Sequence, residues 1–349
     1  MTEAANRRLE VGFTAPENGP TRLDAEQAAA EQTPAELFAS LVASVRRVVF
    51  TEDRTVELSV ACLLAGGHLL LEDHPGLGKT TLAKALARSL GLGFRRVQFT
   101  ADLLPADITG AMLLDRGTGE PTFRPGPVFT NVLMADELNR ASPRAQSALL
   151  EAMEEHQVTV DSESHRLPNP FMVVATQNPY DAAGTSPLPH GQRDRFLLRL
   201  SLGYPGRDEE DALLAGADPA DVVRTLEPAL RPEELRSLMA AARAVHVAPL
   251  ARGYVLDLVE ATRHHPAVAV GASPRAARAV LRAAAAIAVA RDRRYVAPED
   301  VQEVAVAALA HRILLEAMEV LSVDRPALVV EELVRTVPVP LAPGPAGGT

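Results

Sequence analysis

The sequence predicts an α/β fold in which a parallel sheet, covered by helices on both faces, precedes an all-helical region. Between residues 68 and 202, short apolar runs alternate with helical stretches and loops. These runs are almost continuously apolar, as expected of parallel strands that are buried on both faces. From Pro232 to about Leu315 the pattern is helical throughout. The strand candidates are His68–Glu72, Val97–Phe99, Val132–Ala135, Phe171–Ala175 and Leu197–Leu202.

The composition restricts the class of protein. The chain has 349 residues, of which 47% are apolar and 23% charged, enough to build a sizeable core in about two domains of ~150 residues. A formal net charge of −10 argues against a broad electrostatic surface for DNA or RNA. The single cysteine, Cys62, excludes an intramolecular disulfide and a cysteine-based zinc site.

The basic residues are almost all of one type. Of the 35 lysines and arginines, only Lys79 and Lys84 are lysines. A compact ammonium and a planar guanidinium are not interchangeable. A lysine that is retained in such an arginine-rich chain therefore indicates a position that needs an ammonium.

The pattern divides the chain into five parts. We expect a flexible extension over residues 1–34, an α/β subdomain over 35–206, a linker over 207–230, a helical subdomain over 231–335 and a flexible tail over 336–349. The linker reads as acidic and rich in turns. The polar N-terminus lacks the apolar core of a secretory signal, and no run reaches ~18 apolar residues. We therefore expect a soluble cytoplasmic protein without membrane insertion.

A glycine-rich loop follows the first strand candidate. The loop Asp73–Gly78 leads into a helical stretch, so backbone N–H groups and the start of the helix can bind phosphate oxygens. In this arrangement Lys79 reaches the β- and γ-phosphates of ATP, and the Thr80 hydroxyl ligates Mg²⁺. The alternative is a glycine turn with a surface lysine. The predicted nucleotide-binding residues are Gly76, Leu77, Gly78, Lys79, Thr80 and Thr81.

Two acids end the third strand candidate. Asp136 and Glu137 directly follow the apolar run Val132–Ala135, and carboxylates at this end of a parallel strand lie where ligands bind. Asp136 is predicted to hold the Mg²⁺ shell, and Glu137 to orient and polarise the attacking water. The alternative is an N-cap role for the next helix. The phosphate loop upstream favours the metal and water roles.

Other polar residues flank the later strand candidates. Asn178 could reach the γ-phosphate or the attacking water, although an asparagine before proline is also typical of a turn. Arg195 could supply charge to the ATP of a neighbouring subunit, or it could form only a surface salt bridge, and Arg193 and Arg199 are rival donors. Arg275 lies just inside a predicted helix, where it could fold over the phosphates or remain solvated.

Together these segments resemble the MoxR-type AAA+ ATPases, from about Leu37 to Arg312. The motifs are numerous, ordered and specific, which excludes a chance match. They are Asp73–Thr80, Phe99–Gly110, Gly126–Phe129, Ala135–Ala141, Gln146–Met153, Ala175–Pro179, Pro187–Pro189 with Asp194–Phe196, and Gly271–Arg275.

The resemblance implies an AAA+ P-loop αβα sandwich with a five-stranded parallel sheet, followed by an all-α helical lid, with ATP between the two parts and at the face of the next subunit. By motif position Asn178 would be sensor 1, Arg195 the arginine finger and Arg275 sensor 2. The resemblance also implies a helix-2 insertion at about Leu103–Phe129. A hairpin is expected before sensor 1, and Gln157–Pro168 fits it.

The chain departs from the family pattern in the loop and near the finger. Asp73 replaces the first glycine of the phosphate-loop motif, a change that we expect to be tolerated. His190 and Arg193 stand where the family usually has an acid and an apolar residue. Arg193 and Arg195 therefore remain rivals for the finger.

The resemblance further implies a homo-oligomeric ring, expected to be a hexamer, that uses ATP and Mg²⁺ to remodel, activate or assemble a client protein. The expected client carries a von Willebrand factor A domain. The alternatives are a magnesium-chelatase-like ATPase motor subunit and a nucleic-acid-remodelling AAA+ ATPase, and the net charge opposes the second. A P-loop GTPase would need a base-reading lysine, and no lysine follows Lys84.

Overall fold

The computed structural model describes residues 32–114, 117, 119–178, 188–216, 218–316 and 325–340. All helices and strands of these residues lie in the contact unit that begins at Pro34. Most of the predicted N-terminal extension and C-terminal tail, and also Pro179 and Pro187 of the resemblance motifs, lie outside the described residues. No helix of the described ranges combines the length and the apolar character that crossing a bilayer requires.

Helices and strands are numbered along the chain. The helices are α1 (Pro34–Arg46), α2 (Asp53–Leu64), α3 (Lys79–Ser89), α4 (Pro105–Thr109), α5 (Pro143–Glu155), α6 (His190–Arg193), α7 (Arg207–Leu214), α8 (Pro219–Thr225), α9 (Pro232–Ala244), α10 (Pro249–His264), α11 (Pro274–Ala290), α12 (Pro298–Leu309) and α13 (Arg325–Thr336). The strands are β1 (Leu69–Glu72), β2 (Phe94–Gln98), β3 (Gly110–Leu114), β4 (Pro121–Pro125), β5 (Val132–Asp136), β6 (Gln157–Val160), β7 (Glu163–Arg166), β8 (Met172–Gln177), β9 (Leu198–Leu200), β10 (Val268–Val270) and β11 (Leu314–Leu315). Short 3₁₀ turns span Leu138–Arg140 and Ala310–Arg312.

The central sheet has five parallel strands in the order β2–β5–β8–β1–β9. Successive side chains of a strand point to opposite faces, so Leu69 and Leu71 enter one hydrophobic core and Leu70 enters the other. Both faces of the inner strands are therefore buried, which is why the strands appear in the sequence as continuous apolar runs. The predicted α/β fold with a five-stranded parallel sheet and a helical lid is confirmed.

The edge strand β2 begins earlier than the sequence predicts. It spans Phe94–Gln98 rather than Val97–Phe99, and it includes the exposed Arg95 and Arg96. An edge strand is less completely buried than an inner strand, so it can carry charged side chains among its apolar ones. The apolar-run criterion therefore detected only the end of this strand.

The two cores differ in extent. One face of the sheet packs against α5 and the hairpin that follows it, through residues such as Leu149, Met153 and Val158. The other face shares one continuous core with α1, α2, α3 and the helical region, which reaches as far as Leu333. One face of the sheet and the helical lid are therefore packed together, with α11 contacting α12, α9, α2 and α1.

The segment predicted as a turn-rich linker contains two helices, α7 and α8. Val223, Leu226 and Leu230 are buried, and the N–H of Ala229 donates to the carbonyl of Ser89 at the end of α3 at 2.7 Å. Three of the four acidic residues of α7 lie in its first turn, where the helix dipole favours them. The acidic composition of residues 207–230 therefore did not distinguish short helices with acidic first turns from a loop.

Two antiparallel hairpins project from the α/β part. Strands β6 and β7 form the hairpin expected before sensor 1, and β3 and β4 form a second one within the expected insertion. The rings of Phe123 on β4 and His165 on β7 stack with centroids 4.0 Å apart. This ring contact joins the two hairpins.

Candidate functional site

The loop between β1 and α3 has the backbone of an anion-binding loop. Gly76 and Gly78 have φ angles of +86° and +87°, which residues with a Cβ rarely adopt. A Cβ at either position would meet no atom within 4 Å, so the backbone angle, not crowding, requires glycine. Gly78 is the N-cap of α3. The loop therefore leads directly into the positive end of a helix dipole.

Lys79 lies in this loop. Its Nζ donates to the carbonyl oxygens of Asp73 at 2.5 Å and His74 at 3.0 Å. Burial lowers the pKa of Lys79, whereas the carboxylates of Asp73, Asp136 and Glu137 act to raise it. Lys79 follows β1, and the two acids lie at the end of β5; both strands flank β8 in the parallel sheet, so all three residues lie at its carboxyl edge. The structure brings these predicted residues together at the carboxyl ends of the strands, and we call this group, with Asn178, the carboxyl-end site.

Asp73 anchors the loop to the edge strand β9. Its Oδ1 accepts a hydrogen bond from the Ser201 hydroxyl at 2.9 Å, and its Oδ2 accepts one from the Leu202 N–H. The Asp73 side chain is buried. In the sequence, Asp73 is identified only as the residue that stands in place of the first glycine of the phosphate-loop motif. The structure gives this aspartate a role that glycine cannot perform, because its two hydrogen bonds tie the start of the loop to the end of β9.

Asp136 ends β5 with both carboxylate oxygens engaged. Its Oδ1 accepts from the Thr176 hydroxyl of β8 at 2.6 Å, and its Oδ2 pairs with Arg96 of β2, whose Nε is 3.1 Å away. The carboxylate is therefore fixed by both neighbouring strands. Thr176 carries no role predicted from the sequence, although a lone hydroxyl in a buried apolar strand is a usable signal.

Glu137 adopts the left-handed backbone conformation, with φ +54°. This region is uncommon for residues other than glycine and marks local strain. Its N–H donates to the Thr176 hydroxyl at 2.9 Å, which supports the turn. Its Oε2 accepts from Gln98 Nε2 at 2.7 Å and from Arg140 Nη1 at 3.1 Å. Gln98 and Arg140, which carried no assignment from the sequence, therefore orient the Glu137 carboxylate.

Asn178 directly follows β8, at the same end of the sheet as Lys79. Beside it, the Gln177 amide donates to Glu72, and Glu72 also pairs with Arg199, whose Nε is 3.0 Å from Oε2. Arg199 is thus held within the sheet. Arg193 is partly buried, and this burial lowers its pKa. Arg195, by contrast, forms a salt bridge with Glu154.

Arg195 and Arg275 share one carboxylate. Arg195 Nε is 2.9 Å from Oε2 of Glu154, and Arg275 Nη2 is 2.6 Å from Oε1. The hydrogen bond from Arg195 holds the pKa of Glu154 below its usual range. The two arginines that the sequence assigned to separate roles therefore lie together. The sequence did not identify Glu154, because no local pattern relates it to either arginine.

This arginine pair lies at the amino ends of the strands. Glu154 is at the end of α5, and the neighbouring Met153 carbonyl accepts from Nε2 of His68, the residue before β1, at 3.1 Å. Arg195 itself precedes β9. The pair is thus at the opposite end of the sheet from Lys79, and Arg275 does not join the phosphate loop of its own chain.

A cavity of about 310 Å³ opens beside the pair. Its charged lining consists of five arginines and two acids, namely Arg195, Arg275, Arg278, Arg282, Arg312, Glu154 and Asp194. This excess of positive charge suits an anion. We call these residues the arginine cluster.

Comparison with known proteins agrees with this architecture. Residues 68–198 match the model of the ATPase family associated with various cellular activities (AAA), and residues 260–332 match the AAA lid domain. The chain is also similar to a crystal structure of a candidate ATPase from Cytophaga hutchinsonii, with 33% identity and a TM-score of 0.80, over 93% of this chain and 100% of that one.

Several relatives can be aligned with most of the chain. An uncharacterized protein, YeaC of Bacillus subtilis, is 43% identical over 87% of this chain and 95% of its own length. Chaperone MoxR1 of Mycobacterium tuberculosis is 40% identical over 85% and 80%, and protein MoxR of Paracoccus denitrificans is 32% identical over 87% and 97%. With the predicted motifs, sheet and lid in place, these similarities show that the chain belongs to the MoxR-type AAA+ ATPases.

Proposed function

We propose that this protein binds ATP with Mg²⁺ at the carboxyl-end site and hydrolyses it. The observation that carries the proposal is the position of Lys79, Asp136 and Glu137 at the carboxyl ends of β1 and β5, on either side of β8, beside a loop with two left-handed glycines. In this reading the loop amides from Gly76 to Thr81 bind the phosphates. Lys79 would move its hydrogen bonds from the carbonyls of Asp73 and His74 to phosphate oxygens.

The donor set fits Mg²⁺. This ion is usually held by one or two carboxylates together with substrate phosphates and water. The Thr80 hydroxyl would ligate it and Asp136 would hold its water shell. Bound Mg²⁺ would neutralise charge on the β- and γ-phosphates.

Glu137 is proposed to orient and polarise the attacking water. Hydrogen bonds from Gln98 and Arg140 hold its carboxylate, and the Thr176 hydroxyl supports its left-handed backbone by accepting from the Glu137 N–H. Asn178, at the next strand end, is proposed as the second polar contact to the γ-phosphate or the water. Preorganised groups of this kind act without reorganising during the reaction.

Arg195 and Arg275 are proposed to act on the ATP of a neighbouring subunit. Both arginines lie at the end of the sheet opposite their own phosphate loop, beside a cavity rich in arginine. A guanidinium can supply transition-state charge in trans, which requires subunits arranged so that the arginine cluster of one meets the carboxyl-end site of the next. A head-to-tail contact forms a ring when its rotation closes and an open filament when it does not; we propose a closed ring of six subunits.

The proposed output is the remodelling, activation or assembly of a client protein. The name of the relative chaperone MoxR1 supports this class of activity. We propose a client with a von Willebrand factor A domain. The negative net charge favours a protein over a nucleic acid as the client.

Two substitutions test the ATPase proposal. Lys79→Ala is expected to abolish ATP binding, because the phosphates lose their ammonium, whereas Glu137→Gln is expected to bind ATP and to stop turnover. Binding of a fluorescent ATP analogue and phosphate release are measured for both. Lys84→Ala, a lysine on the same helix, is the matched control and should behave as the parent protein. Normal turnover by Glu137→Gln would contradict its assignment.

The Glu137→Gln form also tests the client. With ATP it should retain a bound client in a pull-down from cell extract, and the Lys79→Ala form should retain none. Recovery of a von Willebrand factor A protein with the first form alone supports the proposal. Stimulation of the ATPase by single-stranded DNA at physiological salt would instead favour the nucleic-acid alternative.

A further inference from the structure

The buried Arg312 holds the chain on both sides of Arg195. Its side chain is 2% exposed. Nη2 donates to the carbonyls of Asp194 at 3.1 Å and Phe196 at 2.5 Å, and Nε donates to Oδ1 of Asp194 at 2.7 Å. The Arg312 guanidinium therefore fixes the residue before Arg195 and the residue after it.

The rest of the guanidinium is also engaged. Nη1 donates to the Leu197 carbonyl at 3.0 Å and to the carbonyl of Ala308 on α12. His311, the neighbour of Arg312, donates from Nε2 to the Phe196 carbonyl at 3.0 Å. A planar fork with all its nitrogens in use holds its partners in one geometry. The 3₁₀ turn after α12 is thus tied to the segment that carries Arg195.

Asp194 extends this link to the second arginine. Its Oδ2 accepts from the Ser273 hydroxyl at 3.1 Å, and the same hydroxyl caps α11 by accepting from the Ala276 N–H at 3.2 Å. Arg275 lies in the first turn of α11. One carboxylate therefore connects the Arg312 guanidinium, the Arg195 segment and the helix start that carries Arg275.

We propose that Arg312 and Asp194 are positioning residues that hold Arg195 and Arg275 as a single unit, so that movement of the helical lid moves both arginines together. Both residues lie at the amino ends of the strands, at the opposite end of the sheet from the phosphate loop of their own chain. They act through the two arginines on the ATP of the next subunit, and the inference rests on the proposed role of those arginines in trans.

The central variant is Arg312→Lys. It keeps the positive charge and replaces the planar fork by a single ammonium. We expect ATP binding and KM within about twofold of the parent protein, and kcat lower by about 10²-fold, the cost of a misplaced catalytic group. The matched control is Arg293→Lys, which disturbs another pairing between an arginine and a buried aspartate, Asp300, in the same helical region. It should lose thermal stability without losing kcat.

Mixed rings identify where the defect acts. Subunits with Lys79→Ala cannot bind ATP but keep their arginines, and subunits with Arg312→Lys keep their own carboxyl-end site. Mixing the two should restore part of the turnover, as should mixing Lys79→Ala with Arg195→Ala.

The outcomes separate the two proposals. If Lys79→Ala fails to restore Arg195→Ala, the action of the arginines in trans is wrong. If it restores Arg195→Ala but not Arg312→Lys, or if Arg293→Lys lowers kcat equally, the positioning role is wrong. Should Arg312→Lys not fold, Ser273→Asp provides the test, because it keeps a capping side chain and sets a like charge beside Asp194. A lower kcat with unchanged ATP binding is the expected result, and an unchanged kcat overturns the proposal.

Discussion

The two ends of the central sheet are built in different ways. The carboxyl-end site is formed by strand ends and by one loop, so most of its shape comes from the backbone, including the left-handed Gly76, Gly78 and Glu137. The arginine cluster is formed by side chains from four distant segments, joined through the carboxylates of Glu154 and Asp194.

This difference predicts how each end of the sheet responds when the helical lid moves relative to the sheet. A site shaped by the backbone is rigid as long as the sheet is intact. A cluster joined by side chains between the sheet and the lid depends on how these two parts are packed, because Arg275 and Arg312 belong to the helical region. Movement of the lid is therefore expected to alter the arginine cluster more than the carboxyl-end site.

The largest expected effect tests whether the two ends of the sheet act as separate sites. Arg195→Ala should lower kcat by about 10³- to 10⁵-fold, the range for loss of an arginine finger, and should leave the affinity for ATP unchanged because the carboxyl-end site is intact. Turnover and nucleotide binding are measured over a range of protein concentrations. Arg236→Ala, at an exposed arginine paired with Glu233, is the control. A parallel loss of ATP binding would mean that the two ends are not separate sites.

The second prediction tests whether the carboxyl-end site depends on its backbone anchor. Asp73→Gly restores the first glycine of the usual motif but removes the hydrogen bonds to Ser201 and Leu202. We expect the free energy of unfolding to fall by about 1.5–3 kcal/mol, as for hydrogen bonds to a charged group, and KM for ATP to rise. Urea denaturation and steady-state kinetics measure both. Ser201→Ala, which removes one of the two bonds, should give a smaller effect, and an improved KM in Asp73→Gly would contradict the anchoring role.

The third prediction concerns pH and the amino ends of the strands, where the expected effect is the smallest of the three at neutral pH and grows only in acid. Burial lowers the pKa of His68 from 6.5 to about 4, and burial also lowers the pKa of His311. The unfolded chain therefore binds protons that the native protein does not, so the free energy of unfolding falls as the pH falls from about 6.5 to about 4. The His68 contribution reaches about 3 kcal/mol at the acid end.

Urea denaturation at several pH values measures this slope. His68→Gln keeps a donor and an acceptor for the Met153 carbonyl and the Val173 N–H, and it cannot take up the proton. It should reduce the slope between these pH values and leave the stability above pH ~7 nearly unchanged. A slope identical to that of the parent protein would show that His68 is not an acid-sensitive group of the fold.

The local sequence determined much of the fold. Inner strands buried on both faces are continuous apolar runs, and the glycines and Lys79 of the phosphate loop are adjacent in the chain, so β1, β5, β8 and the loop could be predicted. The edge strand β2 was only partly predicted, because exposure on one side breaks its apolar pattern. The helices α7 and α8 were missed, because their charged first turns resemble a linker.

The phosphate loop, the acids after β5 and the arginines could all be identified from the sequence as candidate site residues. Each of them belongs to a short motif or lies at a strand end. Only the tertiary structure decided that Asp73 anchors the loop, that Thr176 links Asp136 to Glu137, and that Glu154 joins Arg195 to Arg275. The physical reason is the same in each case. These contacts are made by single side chains on elements that meet only in the folded protein: strand ends of the sheet for Asp73 and Thr176, and the sheet part and the lid for Glu154. No periodicity or spacing along the chain records them.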